Sequence, residues 1–387
     1  MPPHFTEAEF ADRAARTRAA MAEHGLDALL LFAPESHYWL TGYDTFGFCF
    51  FQCLVFPAQG EPVLLTRSAD LRQARHTSII EDIRVWKDEA GADPSRDLRR
   101  ILKELQLHDG ARLGVELETQ GLTAANWRRV KQGLKGKRKA PELVDASRLI
   151  DGLRLVKSAA EIECVRRAAA LSDAALEAGV AMARPGVSDG AVLAAMQAEV
   201  LAAGGDYPAN EFICGSGEGA LLCRYFSGRR RLESPDQLTL EWAGTWRRYH
   251  APMMNTLAIG EARPEHGRMR AAAREALESC ESALRPGATM GDVFEAHAVM
   301  VDRHGYRQHR LNACGYSVGA RFTPSWMDPQ MFYEGNETEI GPGMTFFLHM
   351  ILMDSDTGAA QTLGRTSLVT EAGAEPLSRA TLDLIVT

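Results

Sequence analysis

Strand-length apolar runs alternate with helix-length amphipathic segments over the first 150 residues. SRDLRRILKELQL has helical spacing, and strand-like runs are LDALLLFAP, GFCFFQCLVF, GEPVLLT and ARLGVEL. Such alternation predicts an α/β domain whose sheet is covered by helices. We place this domain at residues 1–152 and a second domain at 153–387, with the boundary in the segment LVDASRLIDGLRLVKS.

The second domain opens with a strong helix signal. Ser158 and Glu161 have the S-x-x-E spacing of a capping box. Ile162, Val165 and Ala169 then keep helical spacing on one face. The predicted helix ends near the RPG sequence that starts at Arg184.

An internal repeat indicates the architecture of this second domain. RPGVSDGAVLAAMQAEVLAAGGDYP resembles RPGATMGDVFEAHAVMVDRHGYRQH, and the two copies start at Arg184 and Arg285. In both, a long helix precedes RPG, and a helix and then an apolar strand follow it. Two such α-hairpins predict a pseudo-twofold α+β domain with one curved sheet. Chance similarity between two Ala-rich helices is the alternative. A site is then expected between the halves, on the concave face of the sheet.

Polar residues interrupt the apolar strands of this domain. Glu241 lies in LTLEWAG, and a carboxylate there is costly to bury unless it is used. His349 lies in TFFLHMIL, where a lone histidine is commonly a satisfied core residue. Further polar positions on strand-like segments are Arg224, Tyr249, His250, Tyr316, Arg321 and Asp354. Their convergence on one sheet would indicate a site. For Arg224, an ion pair with Asp236 or Glu233 is the alternative.

Composition narrows the classes of function. The 387 residues carry a formal net charge of −8, which argues against nucleic acid as the main partner. No apolar run approaches the roughly 20 residues of a membrane span, and the N-terminal segment lacks signal-peptide features. The seven cysteines lie in apolar contexts and form no CxxC pair, so we expect reduced cysteines and a cytoplasmic protein.

Several motifs resemble the creatinase/prolidase/methionine aminopeptidase family of the M24 type. They include LRLVKSAAEIECVRRAA, GGDYPA, RYHAP, GYSVG and PGMTF, and with LTGYD near the N-terminus they are most similar to ectoine hydrolases. The resemblance covers nearly the whole chain. It implies an α+β "pita-bread" catalytic domain preceded by a creatinase-type α/β domain.

The same resemblance implies that no catalytic metal is bound. Peptidases of this family hold two metal ions with two Asp, one His and two Glu. The matching positions here are Glu241, Pro252, Tyr316, His349 and Gly364. Proline and glycine have no ligating side chain, and a neutral tyrosine is a poor ligand, so a dinuclear site is not expected.

Without a metal, a carboxylate must attack the substrate carbon or activate water. The resemblance implies Glu241 as nucleophile or base, His349 and His250 as proton-transfer groups, and Tyr249 and Tyr316 as donors to developing charge. The further residues that we expect to bind substrate are Arg224, Asp206, Tyr207, Phe46, Phe48 and Arg321.

Two departures from ectoine hydrolases bear on the substrate. Arg224 replaces a histidine, and QTLGRTS, which contains Thr362 and Arg365, lacks an expected acid. A more positive pocket favours an anionic or zwitterionic substrate, because arginine grips carboxylates in a two-pronged contact.

The segment HYWLTGYDTFGFCFFQ allows two interpretations. It is either a core strand with a tight turn at Gly42 or, as the resemblance implies, an aromatic loop in which Phe46 and Phe48 close the partner's pocket in a homodimer.

The leading prediction for the function is a metal-independent hydrolase of a C–N bond in a small metabolite, ectoine-like or creatine-like. The alternatives are an Xaa-Pro metallopeptidase and an inactive binding protein.

Overall fold

The chain forms two compact units, Met1–Arg154 and Leu155–Thr387, within two residues of the predicted boundary. The structure is a computed structural model and describes residues 3–135, 140–224 and 230–387. Each unit has its own hydrophobic core, so each is described separately. No helix in the described ranges is long and apolar enough to cross a membrane.

The first unit is a helix-covered mixed sheet. Its strand order is β4-β3-β2-β1-β5-β6. β2 pairs antiparallel with β1 and β3, and the remaining neighbours pair in parallel. The helices are α1 Glu7–Glu23, α2 Pro34–Thr41, α3 Leu71–Thr77, α4 Pro94–Glu104, α5 Ala124–Gly133 and α6 Ser147–Leu155, and the strands are β1 Ala28–Leu31, β2 Cys53–Pro57, β3 Val63–Arg67, β4 Asp82–Trp86, β5 Arg112–Val115 and β6 Glu142–Asp145.

The segment with two interpretations is neither one long strand nor a strand with a tight turn. It contains the second part of α2, a helix that starts at Pro34 and ends before Gly42, a glycine with φ of 79°. Proline suits the first helical turn, and a left-handed glycine ends a helix. A 3-10 turn at Gly47–Cys49 follows, so the predicted strand GFCFFQCLVF is wrong in its first half and begins only at Cys53.

The second unit contains the helical hairpins that the repeat predicts. Ser158 and Glu161 form the predicted capping box at the start of α7. The helices are α7 Ala159–Met182, α8 Asp189–Ala202, α9 Pro264–Ala283 and α10 Met290–Arg303, and the strands are β7 Ile213–Ser216, β8 Asp236–Trp246, β9 Tyr249–Ile259, β10 Gly315–Val318, β11 Met327–Met331, β12 Thr345–Asp354, β13 Ala359–Thr370 and β14 Gly373–Pro376.

The sheet of the second unit has two matching halves. Its order is β11-β10-β12-β13-β9-β8-β7, with β14 paired to β13. Apart from β11, the half that follows α7 and α8 contributes β7-β8-β9, and the half that follows α9 and α10 contributes β10-β12-β13 in mirrored order. β9 and β13 meet at the centre. The predicted α+β architecture is confirmed.

The four helices cover one face of this sheet. Trp242 of β8 donates its indole N–H to the carbonyl of Ser172 on α7, and Leu240 belongs to the same core as α7 and α8. At Gly244 the two elements approach so closely that a Cβ would lie 2.0 Å from the carbonyl oxygen of Ala168. Because strand side chains alternate, Glu241 points to the opposite face.

Candidate active site

One row of side chains crosses the sheet face that lies away from the helices. The register pairs Glu241 of β8 with Met254 of β9, Met254 with Gly364 of β13, and Gly364 with His349 of β12. Residues paired in this way lie on the same face. Glu241 and His349, remote in sequence, therefore face the same space from corresponding strands of the two halves.

Glu241 is a buried acid in apolar surroundings. Its side chain is 8% exposed, and within the described ranges no group hydrogen-bonds its carboxylate. Burial raises the pKa of Glu241 to about 7, and the positive charge of Arg224 opposes this rise. A carboxyl with a pKa near neutrality can exchange protons in both directions at physiological pH.

His349 and Tyr316 form an aromatic cluster at the other end of the row. Their ring centroids lie 5.7 Å apart, and Phe347 packs against both. Burial lowers the pKa of His349 to about 4, so its imidazole is neutral at pH 7. Its Nδ1 is buried without a hydrogen-bond partner in the described part of the chain.

Tyr316 is oriented by a tryptophan. The Trp326 indole N–H donates to the Tyr316 hydroxyl oxygen at 2.8 Å. Burial, followed by the charge of Glu241, raises the pKa of Tyr316 well above its usual value. The phenol therefore stays protonated, and its own hydrogen is left to donate toward the face that carries Glu241.

His250 lies on the face of Glu241 but is held by the backbone. Its Nε2 accepts the N–H of Ala209 at 2.9 Å, and burial lowers the pKa of His250 to about 3. Asp206 of the same loop accepts the backbone N–H of Arg248 at 3.0 Å. These bonds tie the GGDYPA segment to the β8–β9 turn, and they give His250 and Asp206 anchoring roles. Tyr207 of this loop is 75% exposed.

Tyr249 lies on the opposite face from the one predicted. It pairs with Trp246, one position out of phase with Glu241, and its hydroxyl donates to the Glu161 carboxylate at 2.6 Å. Because adjacent strand residues point to opposite faces, Tyr249 and His250 cannot both face Glu241. The structure therefore does not bring Tyr249 to the candidate site.

Arg224 follows β7 in a turn instead of lying on a strand, which corrects the prediction. Its side chain is exposed, yet its charge affects Glu241, Tyr316 and His349. The ion pairs considered as an alternative for Arg224 are formed by Arg230 instead, which contacts both Asp236 and Glu233.

Arg321 is paired with Asp328 at 3.6 Å, just after β10. Phe46 and Phe48 belong to the first unit, where they flank the start of the 3-10 turn. Phe46 is 80% exposed and Phe48 is partly buried. The seven cysteines are free, and Cys49 is exposed although it lies in an apolar stretch of the sequence.

A ladder of three threonines beside the row was not predicted from the sequence. Thr239, Thr256 and Thr362 lie on the face of Glu241, with hydroxyl separations of 3.0 Å between neighbours. Thr239 is two residues before Glu241, so period-two alternation could have identified it.

Arg365, in contrast, does not add charge to this face. Its guanidinium forms a two-pronged ion pair with Glu281 of α9 on the helix side. This corrects the expected contribution of Arg365 to a positive pocket, and it leaves Arg224 as the cation whose field reaches Glu241 among the described residues.

The sheet face that carries Glu241 does not fit a dinuclear metal site. Of the five positions that match the family's ligands, only Glu241 and His349 carry good donor groups. At Gly364, a Cβ would lie 2.6 Å from the carbonyl oxygen of Leu348 on the neighbouring strand. The backbone is therefore too close to receive a ligating side chain there.

Comparison with known proteins identifies the relatives of this chain. Residues 163–371 match metallopeptidase family M24, and residues 13–156 match the creatinase/prolidase N-terminal domain. An ectoine hydrolase of Halomonas elongata is 28% identical over 391 residues, covering 97% of this chain and 96% of that protein. An Xaa-Pro dipeptidase of Pyrococcus furiosus is 20% identical and covers 94% and 97%.

Solved structures confirm the predicted fold. An Xaa-Pro dipeptidase from Bacillus anthracis superposes with a TM-score of 0.85 at 20% identity, covering 98% of this chain and 100% of that one. Dipeptidase PepE from Mycobacterium ulcerans gives a TM-score of 0.85 at 24% identity, with 99% of each chain covered. Both likenesses concern the fold. The sequence relatives support a hydrolase and leave its bond and substrate open.

Proposed function

Because this chain belongs to metallopeptidase family M24, we propose that it is a hydrolase that cleaves a C–N bond of a small zwitterionic metabolite without a catalytic metal. Ectoine-like cyclic amidines and creatine-like guanidino acids are the substrate classes. The observation that carries the proposal is Glu241: a desolvated carboxyl with a pKa near 7, on a face where the family's metal ligands are largely missing.

The proposed reaction uses Glu241 as a proton carrier. Its carboxylate takes a proton from water, and the resulting hydroxide forms a bond to the electrophilic carbon. When the C–N bond breaks, the protonated Glu241 gives that proton to the leaving nitrogen. Direct attack of the carboxylate on the carbon, followed by hydrolysis of the glutamyl intermediate, gives the same products.

Other groups on this face support that chemistry. Tyr316 donates its free hydroxyl hydrogen to charge developing on the substrate, because its oxygen already accepts from Trp326. Neutral His349 orients the substrate by hydrogen bonding, since burial disfavours its imidazolium form. Arg224 supplies positive charge for a substrate carboxylate.

We also propose a homodimer as the working form. The exposed Phe46 and Phe50, in a short segment of the first unit, offer apolar surface that a second copy could cover. Sedimentation of the wild type and Phe46→Ser tests this part independently of turnover.

The decisive experiment is turnover of ectoine, hydroxyectoine and creatine in the presence of EDTA, followed by mass spectrometry. Glu241→Gln is compared with wild type and with Glu281→Gln, a partly buried glutamate of α9 that contacts the helix-covered side of the sheet. We expect turnover of one of these substrates by wild type and by the Glu281 variant, with loss in Glu241→Gln. Cleavage of an Xaa-Pro dipeptide only after Mn²⁺ addition would overturn the proposal in favour of a metallopeptidase. Ligand binding without turnover would indicate a binding protein.

A further inference from the structure

A cluster of two thiols and an imidazole lies behind the candidate active site. Cys280 comes from α9, His297 from α10 and Cys314 from the residue just before β10. One potential ligand atom from each lies within 4.8 Å of the others, and all three residues are buried. No other group of three or more histidine, cysteine or acidic residues in the described ranges meets this spacing.

The polar atoms of this cluster are poorly satisfied by the protein. His297 Nδ1 lies 3.2 Å from the thioether sulfur of Met350, a weak acceptor. Its Nε2 is buried with no hydrogen-bond partner in the described part of the chain. The Cys280 thiol has a long contact, 3.6 Å, to the carbonyl of Val293, and it also interacts with the Cys314 thiol. Buried imidazoles are normally hydrogen-bonded on the side that carries a proton, so a missing partner needs an explanation.

The donor set matches soft metal ions. Thiolates, thioethers and imidazole select Zn²⁺ and Cu⁺ over oxygen-seeking cations. Zinc–sulfur bonds of about 2.3 Å put tetrahedral ligand atoms roughly 3.8 Å apart, so the side chains need to close by at most about 1 Å. Two thiolates neutralise Zn²⁺, and a neutral assembly suits a site with no water contact.

We propose that Cys280, His297 and Cys314 bind one thiophilic d¹⁰ metal ion of the Zn²⁺ and Cu⁺ class, with Met350 at its edge. The site is enclosed, so its role is structural. Two thiols give up their protons to solvent as the ion enters. The proposal is independent of the reaction at Glu241.

The position of this site links it to the catalytic face. The backbone N–H of His349 donates to the carbonyl of Cys314 at 2.9 Å, and Met350 follows His349 on β12. A bound ion would therefore join α9, α10 and the start of β10 directly behind the strand that carries His349. Its loss would loosen that strand without removing any group from the row.

Metal content of the full chain, purified under reducing conditions, tests the proposal. Wild type and Cys280→Ala, Cys314→Ala and Cys214→Ala are analysed by mass spectrometry for Zn and Cu, then titrated with Co²⁺. Cys214 is a matched control, because it is buried in the same unit outside the cluster. We expect about one equivalent of metal and a thiolate-to-cobalt absorption band in wild type and Cys214→Ala. Both should be lost in the two cluster variants.

Wild type alone decides the matter if the variants fail to fold. Removal of the ion by a strong chelator should lower its melting temperature, and Zn²⁺ or Cu⁺ should restore it. Wild type with no bound metal and no cobalt band overturns the proposal. So does a Cys280–Cys314 disulfide, found by mass spectrometry of the same reduced preparation.

Discussion

Glu241 and His349 lie on the same face of one sheet, on strands that correspond in its two halves. Three strand spacings separate their backbones, about 14 Å on a flat sheet, with Met254 and Gly364 between them. That span leaves room for a small metabolite, and it places one titratable group at each end of it.

Replacing Glu241 by Gln should slow turnover strongly while leaving substrate binding nearly intact. Glutamine keeps the shape of the side chain but cannot carry the proton or attack the carbon. We expect kcat to fall by about 10²–10⁴-fold with little change in KM, measured by steady-state kinetics. An equal fall in kcat for Glu281→Gln would contradict the assignment.

The pH dependence of kcat/KM should show the ionisation of the Glu241 carboxyl. The proposed mechanism requires ionised Glu241, so the rate should rise with pH through an apparent pKa of about 7. His349 should add no second transition near neutrality, since its pKa is lowered to about 4. A profile that is flat from pH 5 to 9 would exclude Glu241 as the base.

Stability should depend on pH in the opposite sense. The folded-state pKa of Glu241 is raised from 4.5 to about 7, so between these values the folded chain keeps a proton that the unfolded chain releases. The free energy of unfolding therefore falls as pH rises through this window, by up to about 3 kcal/mol, and levels off above pH 7.

Glu241→Gln should remove that part of the pH dependence. In urea denaturation at pH 8, the free energy of unfolding of the variant should exceed that of wild type, and the difference should be smaller at pH 5. Glu116 of the first unit also has a pKa raised to about 7 and is unchanged in the variant, so a residual slope remains. Parallel pH curves for the two proteins would refute the raised pKa of Glu241.

Tyr316 and Tyr249 lie on opposite faces of the sheet, so substituting each one tests which face carries the site. Tyr316→Phe should lower kcat by about 10²-fold, since it removes a donor to developing charge. Tyr249→Phe removes the hydrogen bond to Glu161 on the helix side, so it should cost about 1 kcal/mol of stability and leave kcat unchanged. Kinetics and thermal melts of both variants give the answer. A large fall in kcat for Tyr249→Phe would mean that the active site lies on the helix-covered face of the sheet, which would contradict the assignment.

Arg224→Gln should shift the acidic limb of the pH–rate profile to higher pH. The Arg224 charge opposes the rise in the pKa of Glu241, so its removal lets that pKa climb further. KM for a carboxylate-bearing substrate should also rise. Arg231→Gln is the control, because Arg231 is bonded to the carbonyl of Gly186. An unchanged limb and KM would mean that Arg224 does not act on the site.

The sequence predicted the fold because its signals were local and repeated. The capping box, the RPG hairpins and the apolar strands each specify an element without long-range information. Glu241 and His349 stood out because a polar group inside an apolar strand is costly.

Which face each strand residue occupies was harder to predict. Tyr249 and His250 are neighbours, so one of them had to point to the helices, and only the register shows which. Arg365 similarly forms its ion pair with Glu281, 84 positions earlier on a helix, and a pair so distant in sequence gives no local signal. Arg224 was misplaced because β7 ends early, at Ser216.

The close strand approach at Gly364 restricts which changes this chain can accept. A side chain at 364 collides first with backbone, the Leu348 carbonyl, which no rotamer change relieves. A single substitution there to a metal-binding acid should damage the sheet before it binds anything. A ligating side chain at this position would need a wider gap between β12 and β13, so strand spacing limits position 364 more than the choice of residue does.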